Sequence, residues 1–192
     1  QIIAVDNGSI DGSVKLLSNA GIPVIKQSKS AGFGSAVATA VTKLPAMQDE
    51  NNEWLWIIHD DCAPDKFALA KLLEAVVERP QVAIAGPKIL GWYDRKHILE
   101  AGISITENGA RWTGLENREH DQGQHDEVNT VLSVSSAGML IKRSVFEELG
   151  GFDPSLELFR DDVDLGWRAN IAGHAVICVG EAVLYHAEAA ST

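Results

Sequence analysis

Through the first half of the chain, short apolar runs alternate with longer stretches whose apolar residues recur every three or four positions. Residues 2–5, 23–26, 54–58 and 82–86 are runs of the first kind and predict strands. The run 54–58, Trp-Leu-Trp-Ile-Ile, has no polar residue, the pattern of a strand buried on both faces. Residues 13–21, 35–44 and 65–80 predict helices. In the last of these Phe67, Leu69, Leu72, Leu73, Val76 and Val77 follow the helical period, and Pro80 marks the end. A strand–helix–strand–helix rhythm predicts a mostly parallel sheet with helices on both faces.

The second half is patterned differently. Residues 98–106 and 128–141 predict strands. The stretch 107–127 between them is polar and rich in Gly and charge, which predicts a mobile loop, long enough to be functional. Residues 142–151 and 161–173 predict helices, and 175–179 and 182–186 two closing strands. With no internal repeat and no low-complexity linker, the simplest organisation is one α/β domain over residues 1–192.

Charge narrows the function. The 27 acids outnumber the 16 bases and give a net charge of −11, which disfavours nucleic acid and anionic membrane as partners. It suits a cationic partner or a bound divalent ion. No run of about 18 uncharged apolar residues is present to span a bilayer. The first residues lack the basic start and apolar core of a signal peptide, and they lack Met, which predicts a fragment beginning inside a strand. Cys62 and Cys178 form no metal or redox motif and are expected to be free thiols in a reducing compartment.

Several acids and histidines fall where strands end, the side on which open α/β sheets bind ligands. His59-Asp60-Asp61 follows the run 54–58, placed either to hold Mg²⁺ or Mn²⁺ or to cap a turn. Asp6-Asn7-Gly8-Ser9 follows the first strand, where such residues are also ordinary turn formers and Asp11 or Ser13 would cap the next helix. Gly32-Phe33-Gly34 lacks the third glycine of a dinucleotide site and is expected to permit a tight turn into a helix. Asp161, Asp162 and Asp164 crowd the start of a helix, where the dipole favours one or two acids and Asp164 can pair with Arg168. The adjacent pair Asp161-Asp162 is left over for a general base. His186 closes the last strand, either as a structural residue or as a metal ligand. Trp112, in the long loop, is placed to stack on a sugar ring or to pin the loop to the core.

In this order the segments VDNGSIDGS, HDDCAPD, SAGMLIKRSVFEELGGFDPSL, FRDDVDLGWRANIAGHAV and LYH resemble the family 2 glycosyltransferases, including their rhamnosyl- and galactofuranosyl-transferases. The resemblance spans nearly the whole chain. It implies the GT-A nucleotide-diphospho-sugar transferase fold, a three-layer α/β/α sandwich, and metal-dependent inverting transfer of a sugar to an acceptor hydroxyl in cell-surface glycan synthesis. It implies that Asp6, Asn7, Ser9 and Asp60 contact the nucleotide. Asp61, His59 and His186 would hold Mn²⁺ or Mg²⁺, with His59 standing where the family carries the first Asp of its DxD motif. Asp162, with Asp161 beside it, would be the base, and Trp112, Gly138 and Met139 would meet the acceptor. The implied partners are a nucleotide-diphospho-sugar donor and a glycan or lipid-linked acceptor. The implied place is the cytoplasm, at the inner face of the membrane, with any anchoring through segments outside this sequence. The family's first apolar strand is expected to be missing here. The same fold also hosts non-catalytic sugar-nucleotide or glycan-binding modules and nucleotidyltransferases.

Overall fold

The computed structural model describes residues 1–28, 31–49, 52–156 and 160–187. In chain order its elements are β1 (Ala4–Asp6), α1 (Ser13–Asn19), β2 (Val24–Lys26), α2 (Phe33–Val41), β3 (Trp54–Trp56), β4 (Cys62–Pro64), α3 (Ala68–Val77), β5 (Val82–Gly91), β6 (Ile98–Glu100), β7 (Ser104–Ile105), β8 (Arg111–Trp112), β9 (Val128–Thr130), β10 (Leu140–Lys142), α4 (Arg143–Glu148), α5 (Asp161–Ile171) and β11 (Ala175–His186).

Two long central strands, β5 and β11, pair in parallel and organise the rest. The main sheet runs β3-β10-β5-β11-β4, with β6 on β5 and β9 on β11. The parallel frame expected from the βα rhythm is present at β5–β11 and again at β1–β2, which form a separate small sheet. The shorter strands β3, β4, β6, β9 and β10 join antiparallel.

Period-two alternation divides the core between the two faces of this sheet. From β11, Val176 and Cys178 join Ile84, Met139 and Ile141 on one face, covered by Val37 of α2, Phe146 of α4, and Leu165 and Ala169 of α5. Ile177 and Val179 point the other way, to Val82, Ala85 and Leu140 under Leu72, Ala75 and Val76 of α3. Helices therefore lie on both faces, as a three-layer sandwich. Both cysteines are free, and burial pushes their thiols up to about 12.

Several expectations are corrected. Regular pairing of the run 54–58 stops at Trp56, and β3 is half-buried rather than covered on both faces, because it lies at the end of the sheet path, where β10 is the one strand beside it among the described residues. Strand β5 runs five residues past 86, through Pro87 to Gly91, held by β11 on one side. The stretch 98–106 divides into β6 and β7 around Gly102, whose φ of +93° takes it out of strand geometry. The stretch 128–141 divides into β9 and β10, leaving 131–139 outside both. The segment 107–127 is tied down rather than loose. It holds β8, paired with β7 at Ser104↔Trp112 and Ile105↔Arg111, and a bridge from His120 to His97. Its Asp121 and Asp126 accept hydrogen bonds at 2.8 and 2.6 Å from Lys88, whose side chain is 1% exposed. A buried ammonium needs such partners, so Lys88 fixes the segment to β5. Helix α1 has Gly12 at its N-cap with no side-chain cap; the Asp11 carboxylate instead accepts from the Ser13 N–H at 2.9 Å.

Candidate active site

Strand register builds the first cluster. Strand β4 pairs antiparallel with the end of β11, Cys62 opposite His186, so the residue before β4 is delivered beside the last residue of β11. Asp61 Oδ1 lies 3.1 Å from His186 Nε2, and the Ala187 N–H donates to the Asp61 carbonyl at 3.0 Å. Backbone bonding between the β3 and β10 lines continues past the regular ladder: Ile57 donates to the Met139 carbonyl at 2.8 Å and His59 to the Ala137 carbonyl at 3.3 Å. That carries His59 to Ser136, whose Oγ is 3.2 Å from His59 Nε2. The His59 and His186 rings meet edge-on, 5.9 Å between centroids. His59, Asp61 and His186 thus bring one ligand atom each to within 4.8 Å of one another. Burial, and then the proximity of His186, hold His59 below the usual imidazole range. A neutral imidazole is the form that binds metal.

A helix start and a buried ion pair build the second cluster. Asp162 is half-buried near the N-terminus of α5. Its Oδ1 accepts from the Val163 N–H at 2.7 Å, and its backbone carbonyl accepts from Ser133 Oγ at 2.5 Å. Burial raises its carboxyl, opposed by the Val163 N–H and by Arg111. Asp161 is buried beside it, pushed up to about 6 by burial and then by the Asp162 charge. The third acid is structural. Asp164 accepts from Arg168 Nε at 2.9 Å, and Arg168 also donates to the carbonyls of Leu149 and Gly151. The crowding at 161–164 is therefore relieved in three ways: the Asp161 carboxyl is buried and titrates high, the Asp162 carboxylate accepts from the Val163 N–H, and Asp164 is neutralised by a buttressing arginine.

Residues 133–136 join the clusters. Ser133 touches Asp162, the Ser135 N–H donates to Glu100 Oε1 at 2.9 Å, and Ser136 touches His59. Three residues of chain span at most about 10 Å, so both clusters line one neighbourhood. Helix α5 reaches this segment only because residue 166 is glycine: a Cβ there would stand 2.5 Å from the Ser133 Cβ. A cavity of 180 Å³ opens between the start of α2 and residues 153–156. Phe33, the first residue of α2, packs on the His59 ring at 4.7 Å.

Glu100, Arg111 and the three serines are site residues that motif reading did not find. For Glu100 a signal existed: it lies two positions after Ile98, and alternation places both on the buried side. Among the predicted nucleotide residues, Asp6 is buried and turned onto its own loop, accepting from the Gly8 and Ser9 N–H groups at 3.3 and 3.2 Å. Bonds from Ser9 lead the causes that hold its carboxyl low. Asn7 Nδ2 donates to the Ala31 carbonyl at 3.1 Å, joining this turn to the entry of α2, and Ser9 is exposed. Asp60 is exposed at the turn before β4 and lies outside the close triad.

The expected acceptor residues are placed unequally. Met139 is 0% exposed in the core beneath α2, α4 and α5 and has no surface to offer a ligand. Gly138 is buried too, its carbonyl accepting from Trp56 Nε1 at 3.2 Å. Both are corrected to packing residues, for the space at Gly138 is filled by Leu184 and Pro87. Trp112 is 56% exposed and lines a separate cavity of 230 Å³ with Gly102, Ser104, Thr113, Thr130 and Val131.

Residues 10–192 match the family model described as glycosyltransferase like family 2, and the chain belongs to that family. It is 31% identical over 157 residues to the O-antigen biosynthesis protein RfbC of Myxococcus xanthus, covering 79% of this chain and 12% of that protein. It is 25% identical over 212 residues to the N-acetylglucosaminyl-diphospho-decaprenol L-rhamnosyltransferase of Mycobacterium tuberculosis, covering all of this chain and 67% of that protein. The chain thus corresponds to a small part of the first relative and about two thirds of the second. Its fold is that of the GT-A glycosyltransferases. GalNAc-T7, solved with UDP, GalNAc and Mn²⁺, superposes with a TM-score of 0.72 at 15% identity over 97% of this chain and 37% of that one. The mannosyltransferase PcManGT of Pyrobaculum calidifontis, solved with GDP-Man and Mn²⁺, gives 0.65 at 16% identity over 97% of this chain and 47% of that one.

Proposed function

We propose that residues 1–192 form one glycosyltransferase domain that moves a sugar, with inversion, from a nucleotide-diphospho-sugar to an acceptor hydroxyl. The observation that carries this reading is the convergence of His59 and Asp61 from one segment with His186 from another, within 4.8 Å of one another in a glycosyltransferase-family chain. One carboxylate and two imidazoles suit a divalent ion, and they suit Mn²⁺ better than Mg²⁺, which prefers oxygen ligands and keeps its waters. When bound there, such an ion supplies positive charge to the departing diphosphate, which a protein of net charge −11 has little means to supply from its bases.

Asp162 is the base. It lies on the rim of the same neighbourhood, joined to the His59 side through residues 133–136, and takes the proton of the acceptor hydroxyl as oxygen attacks the anomeric carbon. Asp161, buried beside it, is held up to about 6 by burial and by the Asp162 charge. The turn at Asp6, Asn7 and Ser9 and the cavity at the start of α2 hold the donor's nucleotide. Trp112 meets a sugar of the acceptor through its exposed face. The name of the mycobacterial relative specifies a lipid diphosphate acceptor, and that class, in surface-glycan synthesis, is the one we carry over. Among the described residues no helix is long and apolar enough to cross a membrane. Work on a lipid-linked acceptor would bring the domain to the cytoplasmic membrane surface.

The test is turnover of dTDP-, UDP- and GDP-sugars with a prenyl-diphosphate-sugar acceptor, with Mn²⁺, Mg²⁺ or EDTA. Metal-dependent release of nucleoside diphosphate with product of inverted configuration supports the reading. Donor binding without turnover in an active-length protein would instead favour a binding module.

A further inference from the structure

Trp112 sits on β8 directly opposite Ser104 of β7, so the two side chains share one face of that strand pair. The neighbouring Arg111 faces the other way, into an ion pair with buried Glu100. That pair fixes which way the tryptophan points. The ring is 56% exposed and belongs to none of the core clusters. At Gly114, with a φ of +74°, the chain turns back, and a Cβ there would stand 3.7 Å from the indole. The ring is thus backed by this turn and borders the 230 Å³ cavity.

The cavity wall is selective. Beside Trp112 it has apolar Ala101 and Val131, and it has Ser104, Thr113 and Thr130, whose hydroxyls have no hydrogen-bond partner among the described residues. No charged residue lines it, in a chain of 27 acids and 16 bases. A phosphate is held by Arg, Lys or a helix N-terminus, and this wall offers none of them. A flat apolar ring rimmed by hydroxyls instead fits a sugar. The C–H groups on one face of a sugar lie on the indole, and its hydroxyls exchange hydrogen bonds with serine and threonine. The volume is below the roughly 300–1,000 Å³ of a pocket for a drug-sized ligand, room for about one sugar ring.

The cavity adjoins the candidate base. Ile103, on its wall, exchanges backbone hydrogen bonds with Ser133 at 2.8 and 3.1 Å. Ser133 Oγ in turn donates to the Asp162 carbonyl at 2.5 Å. Val131 stands two residues before Ser133, a span of at most about 7 Å. An acceptor whose reacting hydroxyl is at Asp162 therefore has its next sugar within reach of Trp112. We propose that this cavity holds the second sugar of the acceptor, an uncharged one, next to the sugar that receives the transferred residue. The inference rests on the reading of the domain as a glycosyltransferase and adds the length of its acceptor, at least two sugars. A preceding sugar-transfer reaction must then supply that acceptor, since a lipid diphosphate bearing one sugar leaves the cavity unfilled.

Two measurements test it. In the first, the ¹⁵N-labelled 192-residue chain is titrated with neutral disaccharides of N-acetylglucosamine, rhamnose, galactose and mannose. The signal followed is the Trp112 indole N–H, identified by its loss in Trp112→Ala. At least one disaccharide should shift it saturably, with affinity about 3-fold weaker in Thr130→Val, which removes one hydroxyl at nearly constant shape. In the second, kcat/KM is compared for prenyl-diphosphate acceptors carrying one and two neutral sugars. The two-sugar acceptor should be favoured about 10-fold. Trp112→Ala should bring that ratio to about 1, and Trp112→Phe should restore most of it. A Trp112 signal that no disaccharide moves, or equal kcat/KM for the two acceptors in the parent chain, overturns the proposal. Equal turnover of both acceptors does so while leaving sugar transfer in place. A Trp112-centred shift without turnover of any donor supports the cavity as a sugar site and counts against transfer.

Discussion

The two clusters joined by residues 133–136 are made by different means. On the His59–Asp61–His186 side, backbone register places the side chains: β4 against β11, and the β3 and β10 lines bonded onward to His59. On the Asp162 side, side chains place one another, through an ion pair reaching in from β8, a serine hydroxyl on a helix carbonyl, and a glycine that lets α5 come close. A ladder is rigid and indifferent to most substitutions, whereas a side-chain network fails when one member is lost. The His59–Asp61–His186 side should therefore tolerate change around it, and the Asp162 side should not.

The sharpest way to break the comparison is to disable each side alone. Asp162→Asn should cut turnover by roughly 10²–10⁴-fold while leaving Mn²⁺ binding intact, measured by initial rates and by metal titration. If it also abolishes metal binding, the two sides are not separable. Asp61→Ala should do the reverse to metal. With Mn²⁺ at 100 times its Kd the parent chain should gain about 2.7 kcal/mol of stability, seen as a higher Tm, and the variant should gain none. Ser136→Ala, which removes the hydroxyl beside His59, should lose only part of that gain, with metal affinity falling about 10-fold.

Gly166→Ala sharpens the claim that the base side depends on close packing. The added methyl would press on Ser133 and should cost about 1–3 kcal/mol in urea unfolding, together with much of the activity. The pH dependence of stability offers a further contrast. Glu100 and Asp161 titrate higher in the fold than their ordinary values of 4.5 and 3.8, at about 7 and about 6. For a raised carboxyl the stabilisation is complete below the ordinary value and is lost as pH rises through the folded one. Stability should thus fall between about pH 4 and 7, and Glu100→Gln should flatten the upper part of that slope; an unchanged slope would remove Glu100 from the account. Trp112→Ala should be mildest for the fold, within about 0.5 kcal/mol, since the ring is largely exposed, while raising KM for the acceptor. An unchanged KM would leave the 230 Å³ cavity outside the acceptor path.

Much of the first cluster was legible because strand ends are marked in the chain itself. An apolar run that stops at His59-Asp60-Asp61, and another that stops at His186, point to the ligand side of a sheet without knowledge of the partners. Asp162 was legible for another reason: three acids in four positions demand relief, and Arg168 accounts for only one. Gly138 and Met139 were misplaced because a motif says which residues travel together, not which way each side chain points. Their neighbours Ser133, Ser135 and Ser136 make the polar contacts here, to Asp162, Glu100 and His59, since the chain leaves strand geometry there and frees its hydroxyls and amides for partners other than a ladder.

Taken alone, the sequence was enough for the alternation of strands and helices, the two-sided core and the acids at the strand ends, since period, charge crowding and turn chemistry act over a few residues. Only the tertiary structure could bring Arg111 onto Glu100, set Ser133 against a glycine of α5, or close His59, Asp61 and His186 to within 4.8 Å. Those meetings depend on register and close approach between segments up to 127 residues apart (His59 to His186), and a one-residue slip in any of the pairings would turn the same side chains away from one another.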